Sequence, residues 1–168
     1  MGIRYYAYAF DRDQTDQALK DPRTFIADDP LADAWGFQPH ARAAFATFKQ
    51  AVPEKDMLYL DKAWRYLQLI TGPASPKGSA RAAFRMFEGD VTMCDEGWVP
   101  CCRALTPAAV AEAAHDLATI DDERAAVDLA AFVPSDDEVL YALQYLGRAR
   151  TFATDLAVDG RGMAYMIG

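Results

Sequence analysis

The sequence predicts a single α+β domain, 1–168, in which the N- and C-terminal strands and a central strand form a small mixed sheet packed with amphipathic helices. Three observations point there. Both ends of the chain, 3–10 and 163–167, are short, apolar and β-favouring. Two longer stretches, 58–70 and 136–156, carry apolar residues at steps of three and four, the period of one helix face. A chain of 168 residues, 52% of them hydrophobic, can bury one core, whereas two halves would each be marginal.

The elements follow in order. In 3–10, Tyr5 and Ala7 face opposite to Tyr6 and Tyr8, so both faces carry apolar atoms and the strand is expected inside the sheet with cover on each side. Asp11-Arg12-Asp13 closes it before a short helical stretch through Lys20. Segment 21–38 is loop-like, with Pro22, Pro30 and Gly36, and is anchored by Phe25, Ile26, Leu31, Trp35 and Phe37. Residues 41–50 read as a short helix with Ala44, Phe45 and Phe48 inward, ended by Pro53.

The 58–70 stretch puts Leu60, Ala63, Trp64, Leu67 and Ile70 on one helix face, with Asp61 in the first turn against exposed N–H groups and Gly72-Pro73 as the stop. Trp64 is expected as a core anchor. Residues 73–78 form a surface connection, and Phe84 and Phe87 in 80–87 suggest helical burial. Then 88–98 gathers Glu88, Asp90, Asp95 and Glu96 with Gly89, Gly97 and Trp98.

Residues 99–105 read as a strand that tolerates Pro100 at its start. Thr106 is a good N-cap and Pro107 suits the first helical position, with Val110, Ala114 and Leu117 on the inner face and His115 on the polar one. Residues 121–131 continue as helix, and Ser135 caps the long helix whose stripe is Val139, Leu143, Leu146, Ala149, Ala153 and Leu156. Gly160 and Gly162 bracket the turn into a last strand expected beside the first.

Composition narrows the function. With 25 acidic and 17 basic residues, a net charge of -8, the surface repels phosphate backbones and anionic lipids, so neither nucleic acid nor membrane is expected as a partner. No stretch approaches the ~20 apolar residues of a membrane-spanning helix. The N-terminus lacks the basic and apolar runs of a signal peptide, and Tyr6 stands where a myristoylation signal needs Ser or Thr; a cytoplasmic chain is expected.

Catalytic motifs are missing: no Gly-x-Gly-x-x-Gly, Walker-type loop, Gly-x-Ser-x-Gly or His-Glu-x-x-His occurs. The two histidines, His40 and His115, and the three cysteines, Cys94, Cys101 and Cys102, match no zinc spacing, so reduced structural thiols and neither metal nor cofactor are expected. As neighbours in a strand, Cys101 and Cys102 should point to opposite faces, one buried and one turned away.

The run Asp61-Lys62-Ala63-Trp64-Arg65-Tyr66-Leu67 resembles the Asp-Lys-x-Trp-x-x-Leu segment of the YfbM-like family, small bacterial proteins without an assigned biochemical function. Asp95-Glu96-Gly97-Trp98-Val99-Pro100, followed by Arg103-Ala104-Leu105-Thr106-Pro107 and Val110, is similar to that family's Gly-Tyr-Gly-Pro-Ala-x-x-Leu-Thr-Pro-x-x-Val run. The helix through Tyr145, Phe152 and Ala153, then Asp159-Gly160-Arg161-Gly162 and the apolar terminus, looks like the family's helix, turn and final strand. Two departures stand out. Gln68 replaces a His found in many members, and Trp98-Val99 replaces Tyr-Gly; an amide cannot exchange a proton near neutral pH, so any reaction served by that His is lost here.

Two functional expectations come from 88–98. In the first, the chain is a non-catalytic acidic binding protein, of the kind exemplified by an immunity protein that neutralises a toxin, with Asp90, Asp95 and Glu96 steering a partner with a basic surface and Trp98 supplying apolar contact. In the second, the same acidic loop serves a small enzyme or a small-molecule-binding domain. The alternative to both is a solvated acidic turn with Trp98 folded into the core.

Overall fold

The computed structural model describes residues 2–37 and 49–168. The chain runs β1 (Tyr5–Phe10), α1 (Thr15–Lys20), α2 (Pro30–Trp35), β2 (Met57–Asp61), α3 (Trp64–Thr71), β3 (Thr92–Cys94), β4 (Gly97–Val99), β5 (Cys101–Leu105), α4 (Pro107–Ala118), α5 (Asp122–Ala130), α6 (Asp136–Asp159) and β6 (Gly162–Ile167). Four strands make the main sheet in the order β2-β1-β6-β5, and β3 with β4 forms a separate hairpin. β1 and β6 pair over their full lengths, from Tyr5 opposite Ile167 to Phe10 opposite Gly162. A side chain at Gly162 would collide with the Phe10 ring and the Leu105 carbonyl, so glycine lets three strands close up there.

Both sheet faces are buried. Tyr5, Ala7, Leu58 and Leu60 pack on one face against Trp64 and Leu67 of α3, Val110 and Leu117 of α4, and Leu146 and Phe152 of α6. On the other face Tyr6, Tyr8, Phe10, Met57 and Tyr59 meet Ala18, Ile26 and Ala34 from α1, α2 and the turn between them. Helix ends use the expected chemistry: Thr106 Oγ1 accepts from Ala109 N at 3.1 Å and Ser135 Oγ from Glu138 N at 3.3 Å.

The α+β class and the pairing of first and last strands are as the sequence predicts, with four corrections. Pro100, which has no N–H to give a ladder, divides the strand expected over 99–105 between β4 of the hairpin and β5 of the main sheet. Every strand pair is antiparallel, so the sheet is not mixed; strand direction is set by the connections, which composition does not encode. The helix expected over 58–70 is instead β2, a turn, and α3. Met57 and Tyr59 face one layer while Leu58 and Leu60 face the other, and a short run buried on both sides carries no period that separates strand from helix. Within 21–38, Asp29 caps α2 by accepting from Ala32 N at 3.0 Å, where a loop was expected. Ala44, Phe45 and Phe48, the inward positions of the expected 41–50 helix, lie outside the described residues, as does His40.

Several bonds position the segment that leads into the hairpin. Tyr5 and Tyr165 stack 5.3 Å apart beneath it; Tyr5 Oη donates to Met86 O at 2.6 Å, and Tyr165 Oη to the carbonyls of Arg85 and Glu88 at 3.0 and 2.8 Å. From α3, Gln68 Nε2 donates to Phe87 O and Gly89 O at 2.5 and 2.7 Å. Gln68 therefore serves as a backbone clamp. Among the described residues, no helix is long and apolar enough to cross a membrane.

Trp64 is 1% exposed, and its indole N–H has no hydrogen-bond partner among the described residues, so its contribution comes from packing and from the Arg65 guanidinium lying over its ring at 4.9 Å. Trp64→Ala is expected to cost about 3–5 kcal/mol in chemical denaturation, the range for deleting a buried large aromatic; a loss near that of a surface change would refute the anchor role.

Candidate functional site

The residues singled out in 88–98 are distributed over the β3–β4 hairpin. Asp95 and Glu96 form its two-residue tip, between the paired Cys94 and Gly97, and Gly97 holds a φ of 142 that side chains rarely adopt. Trp98 lies directly across from Met93, which places the two side chains on one face. Asp90 stands at the base, where its carboxylate accepts from Val91 N at 2.8 Å and faces Arg65 at 3.6 Å. The carboxylates are thus split between base and tip, which relieves the repulsion their density in sequence suggests. Met93, Trp98 and Val99 are 69%, 36% and 57% exposed, so Trp98 is not folded into the core.

The cysteines depart partly from expectation. Cys101 and Cys102 do face opposite layers, but both are half-buried because both layers are covered. Burial pushes the Cys102 thiol up. Cys94, on the hairpin, is exposed, and all three are free thiols. His115 is exposed on α4.

A second feature was not legible in the sequence. Asp61 ends β2 at a φ of 47, a left-handed conformation that Asp tolerates better than most residues. It turns the chain so that Ala63 N reaches Leu60 O at 2.9 Å and α3 doubles back over the sheet. Its carboxylate collects donors from separate elements: Arg4 Nε at 2.9 Å and Tyr59 Oη at 3.0 Å on Oδ1, and Tyr141 Oη of α6 at 2.9 Å on Oδ2. Tyr59 Oη in turn accepts from Trp35 Nε1 at 3.2 Å, and the Arg4 guanidinium lies over the Trp35 ring at 5.4 Å.

Beside this cluster a cleft of ≈ 300 Å³ runs between β2 and α6, and it shares Gln50, Glu54, Tyr59 and Arg148 with an adjoining ≈ 370 Å³ hollow that reaches Trp35 and Tyr145. Burial raises Tyr59, with the Asp61 charge adding to it, and burial together with its hydrogen bond to Asp61 raises Tyr141. Tyr145 is raised by burial against the opposing pull of Arg148. These hydroxyls are protonated at neutral pH and act as hydrogen-bonding groups rather than bases. The cleft walls are suited to holding and orienting a ligand. Strained backbone in a non-glycine residue is a signal of function, but it is invisible in sequence, where Asp61 looked like a helix-start residue.

A solved structure, that of YfbM, a protein of unknown function from Escherichia coli, is similar to this one with a TM-score of 0.55 and 14% sequence identity, covering 99% of this chain and 100% of that one. The likeness establishes a YfbM-like fold. No family model matches the chain and no curated protein matches it.

Two outcomes test the Asp61 cluster. Asp61→Asn should cost about 1–3 kcal/mol in urea denaturation, since an amide opposes at least one of the donors now facing a carboxylate. Asp61→Ala should be less stable than Asp61→Gly by about 1 kcal/mol, the strain of a left-handed alanine; equal stabilities would show that the backbone is relaxed there. A third outcome concerns pH. Burial is the largest cause raising Tyr6, to about 12, with Arg4 opposing and Asp61 reinforcing it. The folded state thus keeps protons that an unfolded tyrosine releases near pH ~10, so this stabilisation is full below that pH and is lost as pH rises through about 12. Denaturation midpoints should fall above pH ~10, with phenolate absorbance appearing together with unfolding rather than before it; gradual phenolate formation in a still-folded chain would contradict the burial.

Proposed function

We propose that the chain is a non-catalytic acidic binding protein of the immunity type, cytoplasmic in location, that masks a partner with a basic surface through the 88–98 segment. The observation that carries the reading is the hairpin itself. A two-stranded hairpin is marginal in water on its own, yet this one presents Met93 and Trp98 on one face and Val99 on the other, all exposed, with Asp95 and Glu96 at the tip. Covering Trp98 and Met93 supplies short-range affinity, and the carboxylates, within a chain of net charge -8, accelerate encounter with a basic surface. The Arg65–Asp90 contact is exposed and weak, so Asp90 can exchange Arg65 for a partner's cation at little cost. We also infer that the chain is a divergent member of the YfbM-like family, a reading supported by the fold shared along the chain and by the Asp61-to-Leu67 and Leu105-to-Val110 motifs.

The test compares the chain with its Trp98→Ala variant and its Asp95→Asn/Glu96→Gln double variant, each immobilised and challenged with extract of the producing cells, followed by titration of the purified candidate. A basic protein should be retained by the parent chain, weakened roughly tenfold or more by Trp98→Ala, and released as salt rises from about 50 to about 500 mM. Trp98→Ala should itself stay within about 1 kcal/mol of the parent in stability. A purified partner whose affinity is indifferent to both variants, or an extract in which nothing distinguishes them from the parent, would discard the reading.

A further inference from the structure

The cleft between β2 and α6 holds charges of both signs that the protein does not pair. Arg148 lies with its guanidinium over the Tyr145 ring, 5.0 Å from the centroid, and has no carboxylate within ion-pair distance among the described residues. Stacking occupies the face of the guanidinium and leaves its N–H edge available, the edge that grips a carboxylate in two parallel hydrogen bonds. Glu54 lines the same cleft, and no cation lies within ion-pair distance of it among the described residues. Gln50 lines the same cleft and is held in place: its Nε2 donates to Val52 O at 2.8 Å and Met57 O at 3.0 Å, which leaves Oε1 as an acceptor.

Gly147 is the second, independent observation. It sits inside the 24-residue helix α6, where glycine is unfavourable, and a side chain placed there would meet nothing within 4 Å. Packing does not require glycine at this position, and what its missing side chain provides is open volume in the cleft wall, beside the apolar Met57, Leu58 and Phe152. At ≈ 300 Å³ the space falls at the lower end of small-ligand sites.

We propose that this cleft binds a free amino acid with an apolar side chain. Its carboxylate sits on the Arg148 edge, its ammonium against Glu54 and Gln50 Oε1, and its side chain over Gly147 against Met57 and Phe152. The paired signs make the ligand a zwitterion: a simple anion meets the Glu54 carboxylate, and a simple amine meets Arg148. The proposal is independent of the hairpin, which uses other residues on other elements.

Calorimetric titration of the chain with L-leucine and L-methionine tests it, with 3-methylbutylamine and 4-methylpentanoic acid as leucine analogues that each lack one charge. One of the amino acids should bind with a dissociation constant of roughly 1 mM or tighter, and both analogues should bind at least about tenfold more weakly. Arg148→Gln, an exposed change, should weaken the amino acid by roughly tenfold or more. Gly147→Leu should abolish binding while leaving the thermal midpoint unchanged or higher. The proposal is overturned if neither amino acid gives saturable heat up to about 10 mM, if an analogue equals the zwitterion, or if a folded Gly147→Leu or Arg148→Gln chain retains full affinity.

Discussion

The architecture depends on one carboxylate. Asp61 accepts hydrogen bonds from Arg4 just before β1, from Tyr59 on its own strand and from Tyr141 on α6. Tyr59 belongs to the layer packed by α1 and α2, whereas α6 packs on the opposite face, so the two layers that the sheet separates are joined at its edge through a single side chain. The same residue reverses the chain between β2 and α3. Geometry and charge cooperate here: the left-handed turn brings the carboxylate to the edge, and three donors aimed at it offset the strain of holding it there.

A sheet covered on both faces explains the chemistry of the interior. Each of the eight tyrosines has its hydroxyl raised, with burial the largest cause in every case. They act as long apolar side chains with one polar tip, and in six of them that tip donates to a carbonyl or carboxylate, as Tyr5 does to Met86 O, Tyr8 to Asp33 and Tyr66 to Glu138. The hairpin is the opposite case. It stands clear of this double layer, with apolar side chains in water and its lead-in segment clamped by Tyr5, Tyr165 and Gln68. A rigid base beneath an exposed tip reduces the ordering that a binding surface must undergo on contact.

Legibility in the sequence followed the range of each signal. Thr106-Pro107 and Ser135 announced their helices because capping is local, and the stripe through Leu146, Ala149 and Leu156 announced a buried face because its period is fixed. The strand at 57–61 was missed because burial on both sides erases the alternation that marks a strand, and α2 because Pro22, Pro30 and Gly36 read as loop although Asp29 and Pro30 together start a helix. The hairpin's carboxylates and Trp98 could be named from sequence, but whether that tryptophan lay inside or outside could not. The cleft was wholly hidden, since Gln50, Glu54, Gly147 and Arg148 come from segments far apart along the chain and none carries a motif.

The pairing of β1 with β6 has a consequence for how the chain acquires its shape. The partner that places β1 inside the sheet lies 152 to 162 residues downstream, from Phe10 opposite Gly162 to Tyr5 opposite Ile167, so the loop closed by that contact encloses every other element. Contacts of such high sequence separation are slow to form. Until β6 leaves the ribosome, β1 has β2 on one side and an open row of backbone donors and acceptors on the other, beneath a row of tyrosines that needs cover. Synthesis therefore runs well ahead of sheet completion, and in that interval the strand destined to be the most enclosed is the one most open to wrong partners.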